Sequence, residues 1–170
     1  MSEVVLVSDS HRLRKFRETL KNQYPATDYF FHCGDSELSK EEMAGWATVE
    51  GNCDYCFEFP AQLKIDIGRH SFLLIHGDRA GYPYDRTLPA LAKKYGCDVV
   101  CYGHTHVPMD QMSDGIRLIN PGSLRYNRDG SAPGYMVLSV YDERIETKWL
   151  PYQPLKGCII LLPCFLCLSW

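Results

Sequence analysis

The sequence predicts one α/β domain in which strand–helix units come first and antiparallel hairpins follow. In the first half, short apolar runs end in polar loops and lead into stretches with helical spacing. From about residue 60, apolar and polar residues alternate and tight turns intervene, as in hairpins. The chain has 170 residues, which is enough to bury a core without disulfide bonds, and no internal repeat or linker divides it.

The first half of the chain predicts two strand–helix units. Residues 4–7 are wholly apolar, as in a buried strand, and apolar residues at helical spacing over 12–23 predict the helix that follows. A second strand over 29–33 precedes a short helix over 39–47, which begins with the capping box Ser39-x-x-Glu42. Each of these strands runs into a loop that carries Asp.

The second half predicts three hairpins, one helix and one further strand. Short turns such as Asp114-Gly115 separate the paired runs, which is typical of hairpins. The predicted hairpins pair 63–67 with 72–75, 107–112 with 116–119, and 135–141 with 144–150, and a helix over 87–95 precedes a strand over 99–102.

Composition excludes several classes of protein. The formal net charge of -3 argues against a stable nucleic-acid complex, which depends on neutralising phosphates with Lys and Arg. Residues 1–3 lack the basic region of a secretory signal, and the apolar run 158–168 is shorter than the about 20 residues that span a bilayer. We therefore expect a cytoplasmic protein without membrane contact, whose eight cysteines are free thiols.

The C-terminal end differs from the rest of the chain. Residues 157–170 change abruptly to Cys, Ile, Leu, Phe and Trp without polar alternation. We predict a working domain over 1–156 and an apolar tail over 157–170. An exposed segment of this kind favours association, so we expect a homo-oligomer contact, with an artefactual or frame-shifted end as the alternative.

Polar side chains that can bind metal ions follow most of the predicted strands. Ligands in open α/β sheets bind outside the carboxyl ends of the strands, so these side chains are expected to converge. Carboxylates, imidazoles and an amide oxygen suit Mn, Fe, Zn or Ni, and seven of them are too many for one tetrahedral site. They are about right for two ions that share one carboxylate. The candidates are Asp9, His11, Asp35, Asn52, His76, His104 and His106.

Simpler interpretations compete with metal binding at single positions. An Asp such as Asp9 at the end of a strand more often caps the next helix than binds a metal. The pair His104 and His106 is a stronger signal, because side chains at i and i+2 of an extended loop leave on the same side. Of the two remaining histidines, we expect His32 to be a core or edge residue and His70 to be solvated.

The order of these motifs resembles the calcineurin-like metallophosphoesterases, and within them the small single-domain phosphodiesterases. The resemblance covers about residues 4–150 and implies a four-layer αββα sandwich, with two mixed β-sheets face to face and helices outside. The matching motifs are Asp9-Ser10-His11, Gly34-Asp35, Gly51-Asn52-Cys53-Asp54, His76-Gly77, Gly103-His104-Thr105-His106 and Asn120-Pro121-Gly122-Ser123.

The resemblance also implies a cofactor and a reaction. It implies two divalent transition-metal ions, with Mn²⁺ expected first and Ni²⁺, Fe²⁺ or Zn²⁺ allowed. A water or hydroxide that bridges the ions would then hydrolyse a small phosphodiester without a protein nucleophile. The implied ligands are Asp9, His11, Asp35 and His106 for one ion, with Asp35 bridging to a second ion on Asn52, His76 and His104.

Several residues at or beside the motifs are candidates for catalysis or phosphate binding. The implied catalytic residues are Asn52, Cys53, Asp54 and His76. Larger members of the family carry His where this chain has Cys53, and a thiol is the poorer proton donor near neutrality. Arg12 and Arg125 are candidates for substrate phosphate, although each has a plain alternative as an exposed residue.

Two other functions compete with a phosphodiesterase. One is a protein-interaction scaffold on the same fold, as in the metallophosphoesterase-like subunit of retromer. A scaffold has no need of all seven metal ligands, and this chain keeps them. The other is a phosphomonoesterase, which would require more positive charge to face the additional negative oxygen.

Overall fold

The computed structural model describes residues 1–56 and 58–153. Within these ranges no helix has the length and apolar character needed to cross a membrane. The elements are β1 (Ser2–Val7), α1 (Phe16–Gln23), β2 (Tyr29–His32), β3 (Ala47–Thr48), β4 (Gln62–Ile67), β5 (His70–Ile75), α2 (Tyr84–Tyr95), β6 (Val99–Cys101), β7 (Met109–Ser113), β8 (Ile116–Asn120), β9 (Gly134–Val140) and β10 (Ile145–Pro151).

The strands form two mixed sheets of five strands each. The first has the order β10-β9-β1-β2-β3, and the second has the order β4-β5-β6-β8-β7. In the first sheet β1, β2 and β3 are parallel, while β9 and β10 are antiparallel to their neighbours. In the second sheet β5, β6 and β8 are parallel, while β4 and β7 form antiparallel edges. The predicted mixed sheets and all three predicted hairpins are confirmed.

The two sheets pack face to face through one layer of apolar side chains. Because side chains alternate along a strand, every second residue of a central strand faces this layer. Val4 and Leu6 of β1 and Phe31 of β2 lie here beside Phe72 and Leu74 of β5. These side chains come from both sheets and are buried in one cluster, so the layer is the core between them.

Helices cover the outer faces of the sheets. The residues between those of the central layer, Val5 and Val7, pack on Phe16 and Leu20 of α1. On the other sheet Leu73 packs against Leu88 and Ala92 of α2. The order from outside to outside is helix, sheet, sheet and helix, which confirms the expected αββα sandwich.

The predicted helix over 39–47 is wrong, although its capping box forms. Ser39 N donates to Glu42 Oε2 at 3.0 Å, and Glu42 N donates to Ser39 Oγ at 3.3 Å. The described segment nevertheless consists of turns. Gly45 has a φ of +79°, in the left-handed region, and the chain then enters β3 at Ala47, so helical bonding does not continue.

Helix α1 begins at Phe16 and not at residue 12 as predicted. His11 and Arg12 have φ of 42° and 64°, which a right-handed helix does not allow. The five cysteines in the described part of the chain are free thiols. The domain boundary at 156, the tail over 157–170 and the oligomer contact assigned to it lie outside the described residues and stay predictions.

Candidate metal centre

The seven predicted ligands lie on loops at one edge of the sandwich. Each loop follows a parallel strand, namely β1, β2 and β3 of one sheet and β5 and β6 of the other. Backbone hydrogen bonds join the loops: Asp9 N donates to Gly34 O at 3.0 Å, and His11 N donates to Asp35 O at 3.0 Å. The convergence predicted from the carboxyl ends of the strands is therefore observed.

The backbone at this edge is strained. Left-handed φ is uncommon for residues with a Cβ, and such conformations concentrate at functional sites. Five of the seven predicted ligands adopt it, with φ between 42° and 65°. They are Asp9, His11, Asp35, His104 and His106.

The ligand atoms form two overlapping groups of three. Asp9, His11 and His106 have ligand atoms within 4.8 Å of one another, and so do Asp9, Asp35 and His76. The first group coincides with three of the four ligands predicted for one ion. Asp9 belongs to both groups, whereas Asp35 belongs to the second, so the predicted bridging by Asp35 stays a prediction.

Three imidazoles are oriented by hydrogen bonds from Nδ1. An acceptor on Nδ1 fixes that atom as the donor and leaves Nε2 as the atom that faces the cluster, an arrangement typical of metal-binding histidines. The bonds are His11 Nδ1 to Glu37 Oε1 at 2.9 Å, His76 Nδ1 to Cys33 O at 2.7 Å, and His106 Nδ1 to Tyr126 O at 3.2 Å.

Atoms that attract cations consequently face one another. His106 Nε2 lies 3.0 Å from Asp9 Oδ1 and 3.5 Å from His11 Nε2. Asp9 Oδ1 is buried and, within the described residues, accepts no hydrogen bond. A buried carboxylate oxygen without a donor is costly unless a cation satisfies it. The residues present therefore fit a divalent transition metal.

Asn52 and two histidines form the other part of the cluster. Asn52 Oδ1 lies 3.1 Å from His76 Nε2 and 3.0 Å from His104 Nδ1. Burial alone would lower the pKa of His76, but the hydrogen bond to Asp35 and the charges of Asp9 and Asp35 raise it to about 9. Without a metal ion His76 would thus hold a proton among these carboxylates, in the position that a cation would take.

The cluster borders a small open cavity of about 140 Å³. Larger cavities of about 460 and 560 Å³ lie elsewhere, and none of the seven predicted ligands lines either of them. Protein pockets that enclose a drug-sized ligand measure about 300–1,000 Å³, so the small cavity has room for a phosphoryl group but not for a whole nucleotide. Its lining residues are His11, Asp35, Asn52, Cys53, His104, His106, Tyr126 and Arg128.

Residues 2–143 match the family model of the calcineurin-like phosphoesterase superfamily domain. The chain belongs to the calcineurin-like phosphoesterase superfamily. It is 34% identical over 152 residues to the probable metallophosphoesterase YsnB of Bacillus subtilis, and the match covers 86% of this chain and 89% of YsnB. It is also 32% identical over 98 residues to phosphodiesterase YfcE of Escherichia coli, across 53% of this chain and 50% of YfcE.

Two solved structures superpose on the chain. An uncharacterized protein of Streptococcus pneumoniae TIGR4, named a predicted phosphoesterase, superposes with a TM-score of 0.82 and 26% identity, across 88% of this chain and 89% of that one. Vps29 of Entamoeba histolytica in complex with Zn²⁺ superposes with a TM-score of 0.67 and 19% identity, across 87% and 98%. The second likeness shows the fold alone.

Asp54, for which a catalytic role is predicted, does not line the cavity of this calcineurin-like phosphoesterase. Its side chain is fully buried, and its carboxylate accepts hydrogen bonds from the backbone N–H groups of Asp35, Glu37 and Gly51. We therefore assign Asp54 to holding the Gly34-Asp35 and Gly51-Asn52 loops together.

Cys53 lines the cavity, and its catalytic role stays a prediction. Its backbone N–H donates to Asp35 Oδ1 at 2.7 Å, and its Sγ accepts a hydrogen bond from Asn52 Nδ2 at 3.3 Å. Burial, the hydrogen bond to Asp35 and the nearby negative charges raise the pKa of the Cys53 thiol to about 12. The side chain is consequently a neutral thiol and a weak acid.

The structure does not place either predicted phosphate-binding arginine in the cavity. Arg12 Nε donates to Glu37 Oε2 at 2.7 Å, so the guanidinium pairs with the carboxylate that orients His11. Arg125 Nη1 donates to the backbone oxygen of His11 at 3.3 Å. Arg128 lines the cavity instead, and no motif or periodicity in the sequence marks its loop.

The predictions for the two histidines outside the motifs have different outcomes. His32 is fully buried, as expected of a core residue, and burial lowers its pKa to about 4. Its Nδ1 accepts from Gly34 N at 3.2 Å and its Nε2 lies 2.9 Å from Ser10 Oγ, so it joins two of the site loops. The prediction that His70 is solvated is wrong, because its Nδ1 lies 2.6 Å from Asp98 Oδ2 and its side chain is 16% exposed.

Proposed function

We propose that this protein is a phosphodiesterase that works with two divalent transition-metal ions. The observation that carries the proposal is the group of cation-attracting atoms directed at one another, above all the buried Asp9 Oδ1 without a hydrogen-bond donor in the described structure. The name of the relative YfcE, a phosphodiesterase, supports the choice of a diester. Mn²⁺ is the first candidate, and Ni²⁺, Fe²⁺ or Zn²⁺ suit the same mixture of oxygen and nitrogen ligands.

The residues of the chain prepare this site before substrate arrives. Bound cations of this kind polarise phosphoryl oxygens and lower the pKa of a water. Glu37, Cys33 and Tyr126 hold the rings of three histidines so that each Nε2 faces the cluster. Asn52 donates to Cys53 Sγ, which turns its amide oxygen toward His76 and His104.

Charge at the cavity favours a diester over a monoester. Arg128 is the guanidinium that lines the cavity within the described residues. A phosphodiester carries one negative charge, whereas a monoester dianion brings a second one that would need a further cation. The thiol of Cys53 is a poorer proton donor to an alkoxide than an imidazolium near neutrality. We therefore propose that aryl diesters, whose leaving groups need no proton, are hydrolysed fastest.

Replacement of Cys53 with alanine is expected to leave hydrolysis of an aryl diester within about threefold of the wild-type kcat, because the aryl leaving group needs no proton from the thiol. The backbone bond from Cys53 N to Asp35 does not depend on the side chain. The measurement is kcat with bis(4-nitrophenyl) phosphate, with Cys53→Ser as the polar control of similar size. A loss of about 100-fold in Cys53→Ala alone would show that catalysis depends on the Cys53 side chain even when the leaving group needs no proton.

A substrate panel on protein of defined metal content tests the proposed function. The protein is stripped with a chelator and reloaded separately with Mn²⁺, Ni²⁺ or Zn²⁺. Aryl diesters, nucleotide diesters, cyclic nucleotides and monoesters are then compared. We expect diester hydrolysis that depends on added metal and exceeds monoester hydrolysis.

Two outcomes of the panel would contradict the proposal. Faster hydrolysis of monoesters than of diesters would indicate a phosphomonoesterase. No hydrolysis in any metal form, with His76→Ala identical to the wild type, would favour a protein-interaction scaffold, a function that the likeness of the fold to Vps29 accommodates.

A further inference from the structure

The segment Ser123–Arg128, which follows β8, forms one wall of the site cavity. Ser123 Oγ donates to the backbone oxygen of Asp9 at 2.8 Å. The same hydroxyl accepts from the backbone N–H groups of Arg125 at 3.0 Å and Tyr126 at 3.1 Å. One side chain therefore ties this wall to the loop that carries the predicted ligand Asp9.

A second set of bonds fixes the far end of the wall to a predicted metal ligand. His106 Nδ1 donates to Tyr126 O at 3.2 Å, and Arg128 N donates to His106 O at 2.9 Å. Asn127 Oδ1 accepts from Ser123 N at 2.7 Å and closes the turn between them. Because the backbone is bonded at both ends, the side chains of Tyr126 and Arg128 project from fixed points beside His106.

The two side chains offer an aromatic face and a cation to the cavity. The Tyr126 ring centroid lies 4.7 Å from that of His106 and 6.4 Å from that of His11, and its side chain is 49% exposed. Both Tyr126 and Arg128 line the cavity. The ion pairs of the described residues leave the Arg128 guanidinium without a carboxylate.

The size of the cavity decides where a substrate meets these groups. A volume of about 140 Å³ holds the phosphoryl group, so its substituents must lie on the rim. Tyr126 is a half-exposed aromatic residue of that rim. An aromatic substituent of a substrate can stack on its ring. A guanidinium makes charge-assisted hydrogen bonds to phosphoryl oxygens.

We propose that Tyr126 and Arg128 form a substrate subsite for phosphodiesters that carry an aromatic group, with Arg128 on a phosphoryl oxygen and Tyr126 stacked on the ring. The subsite rests on the proposed phosphodiesterase function, because it assumes that the phosphoryl group occupies the cavity. It is distinct from the predicted metal ligands and from Arg12 and Arg125, which face Glu37 and the His11 backbone.

The test compares binding of phenylphosphonate and methylphosphonate to Mn²⁺-loaded protein by calorimetry. Neither compound has an ester to hydrolyse, so the measurement is independent of turnover. We expect the wild type to bind the phenyl compound about fivefold more tightly through the aromatic contact. Tyr126→Ala should lose this preference, and Tyr126→Phe should keep it.

Arg128→Ala should weaken binding of both phosphonates about tenfold, because it removes a charge-assisted contact to the shared phosphonate group. Its kcat/KM for bis(4-nitrophenyl) phosphate should fall by about the same factor, mainly through KM. The matched controls are Arg69→Ala and Tyr95→Ala, which replace the same residue types outside the cavity lining. Metal content should equal that of the wild type in every variant.

The subsite and the proposed function fail in different ways. If Tyr126→Ala and Arg128→Ala bind both phosphonates as the wild type does, the subsite is wrong while diester hydrolysis by the wild type still supports the function. If the wild type hydrolyses no phosphoester and binds neither phosphonate in any metal form, the proposed function itself is wrong.

Discussion

Replacement of His76 with alanine should abolish metal-dependent diester hydrolysis, with a loss of about 1,000-fold or more in kcat/KM. A bound metal supplies several kcal/mol of stabilisation to the transition state, and each 1.36 kcal/mol is about tenfold in rate. His76 is fully buried, with Nε2 3.4 Å from Asp35 Oδ2 and 3.1 Å from Asn52 Oδ1. Its removal should also lower the bound metal, measured by mass spectrometry, from two ions per chain to one.

The control for this variant is His70→Ala. His70 is the first residue of β5 and pairs with a carboxylate, Asp98, whereas His76 follows the other end of the strand. This variant should keep both metal ions and the wild-type kcat. If His76→Ala binds as much metal and hydrolyses the diester as fast as His70→Ala, the assignment of His76 to the metal centre is incorrect.

The strands and their ligands could be predicted because their signals are local. The apolar run of β1 and the polar residues after it place Asp9 and His11 at the carboxyl end of a strand, without knowledge of the rest of the fold. Similarly, the alternation over β4 and the turn before β5 predict a hairpin. The packing of two sheets face to face is a long-range property, and the resemblance to a known family was needed to expect it.

The direction of individual side chains could not be predicted in the same way. Asp54 belongs to the Gly-Asn motif in sequence, yet its carboxylate turns into the protein to meet backbone N–H groups. Arg128 lies in a loop without periodicity. A hydrogen bond from its backbone N–H to the backbone oxygen of His106 holds it beside the cavity. The left-handed φ of residues such as Asp9 and His106 depends on these tertiary bonds, so no short motif reveals it.

Asp54→Ala is expected to lower the free energy of unfolding by about 3–5 kcal/mol, because a buried charged acceptor is lost and its donors remain buried. The carboxylate accepts five hydrogen bonds, four of them from backbone N–H groups, and the three shortest of these four measure 2.6–3.0 Å. These donors come from both the Gly34-Asp35 and the Gly51-Asn52 loops. Denaturant unfolding of the metal-free protein measures the loss without a contribution from bound metal.

The conservative variant Asp54→Asn removes the negative charge of the side chain but keeps one oxygen that accepts hydrogen bonds. Its remaining carbonyl oxygen can accept from part of the donor set, so it should be destabilised less than Asp54→Ala and should still fold. Because Cys53 N, in the Gly51-Asn52 loop, donates to Asp35 Oδ1, separation of the two loops would disturb this predicted ligand. Weaker metal binding should therefore accompany the lower stability in both variants.

The control is Asp129→Ala, which removes an exposed carboxylate that accepts a hydrogen bond from Ser131 N and should change neither stability nor metal binding appreciably. Equal stability and metal affinity in Asp54→Ala and Asp129→Ala would show that Asp54 does not hold the site together.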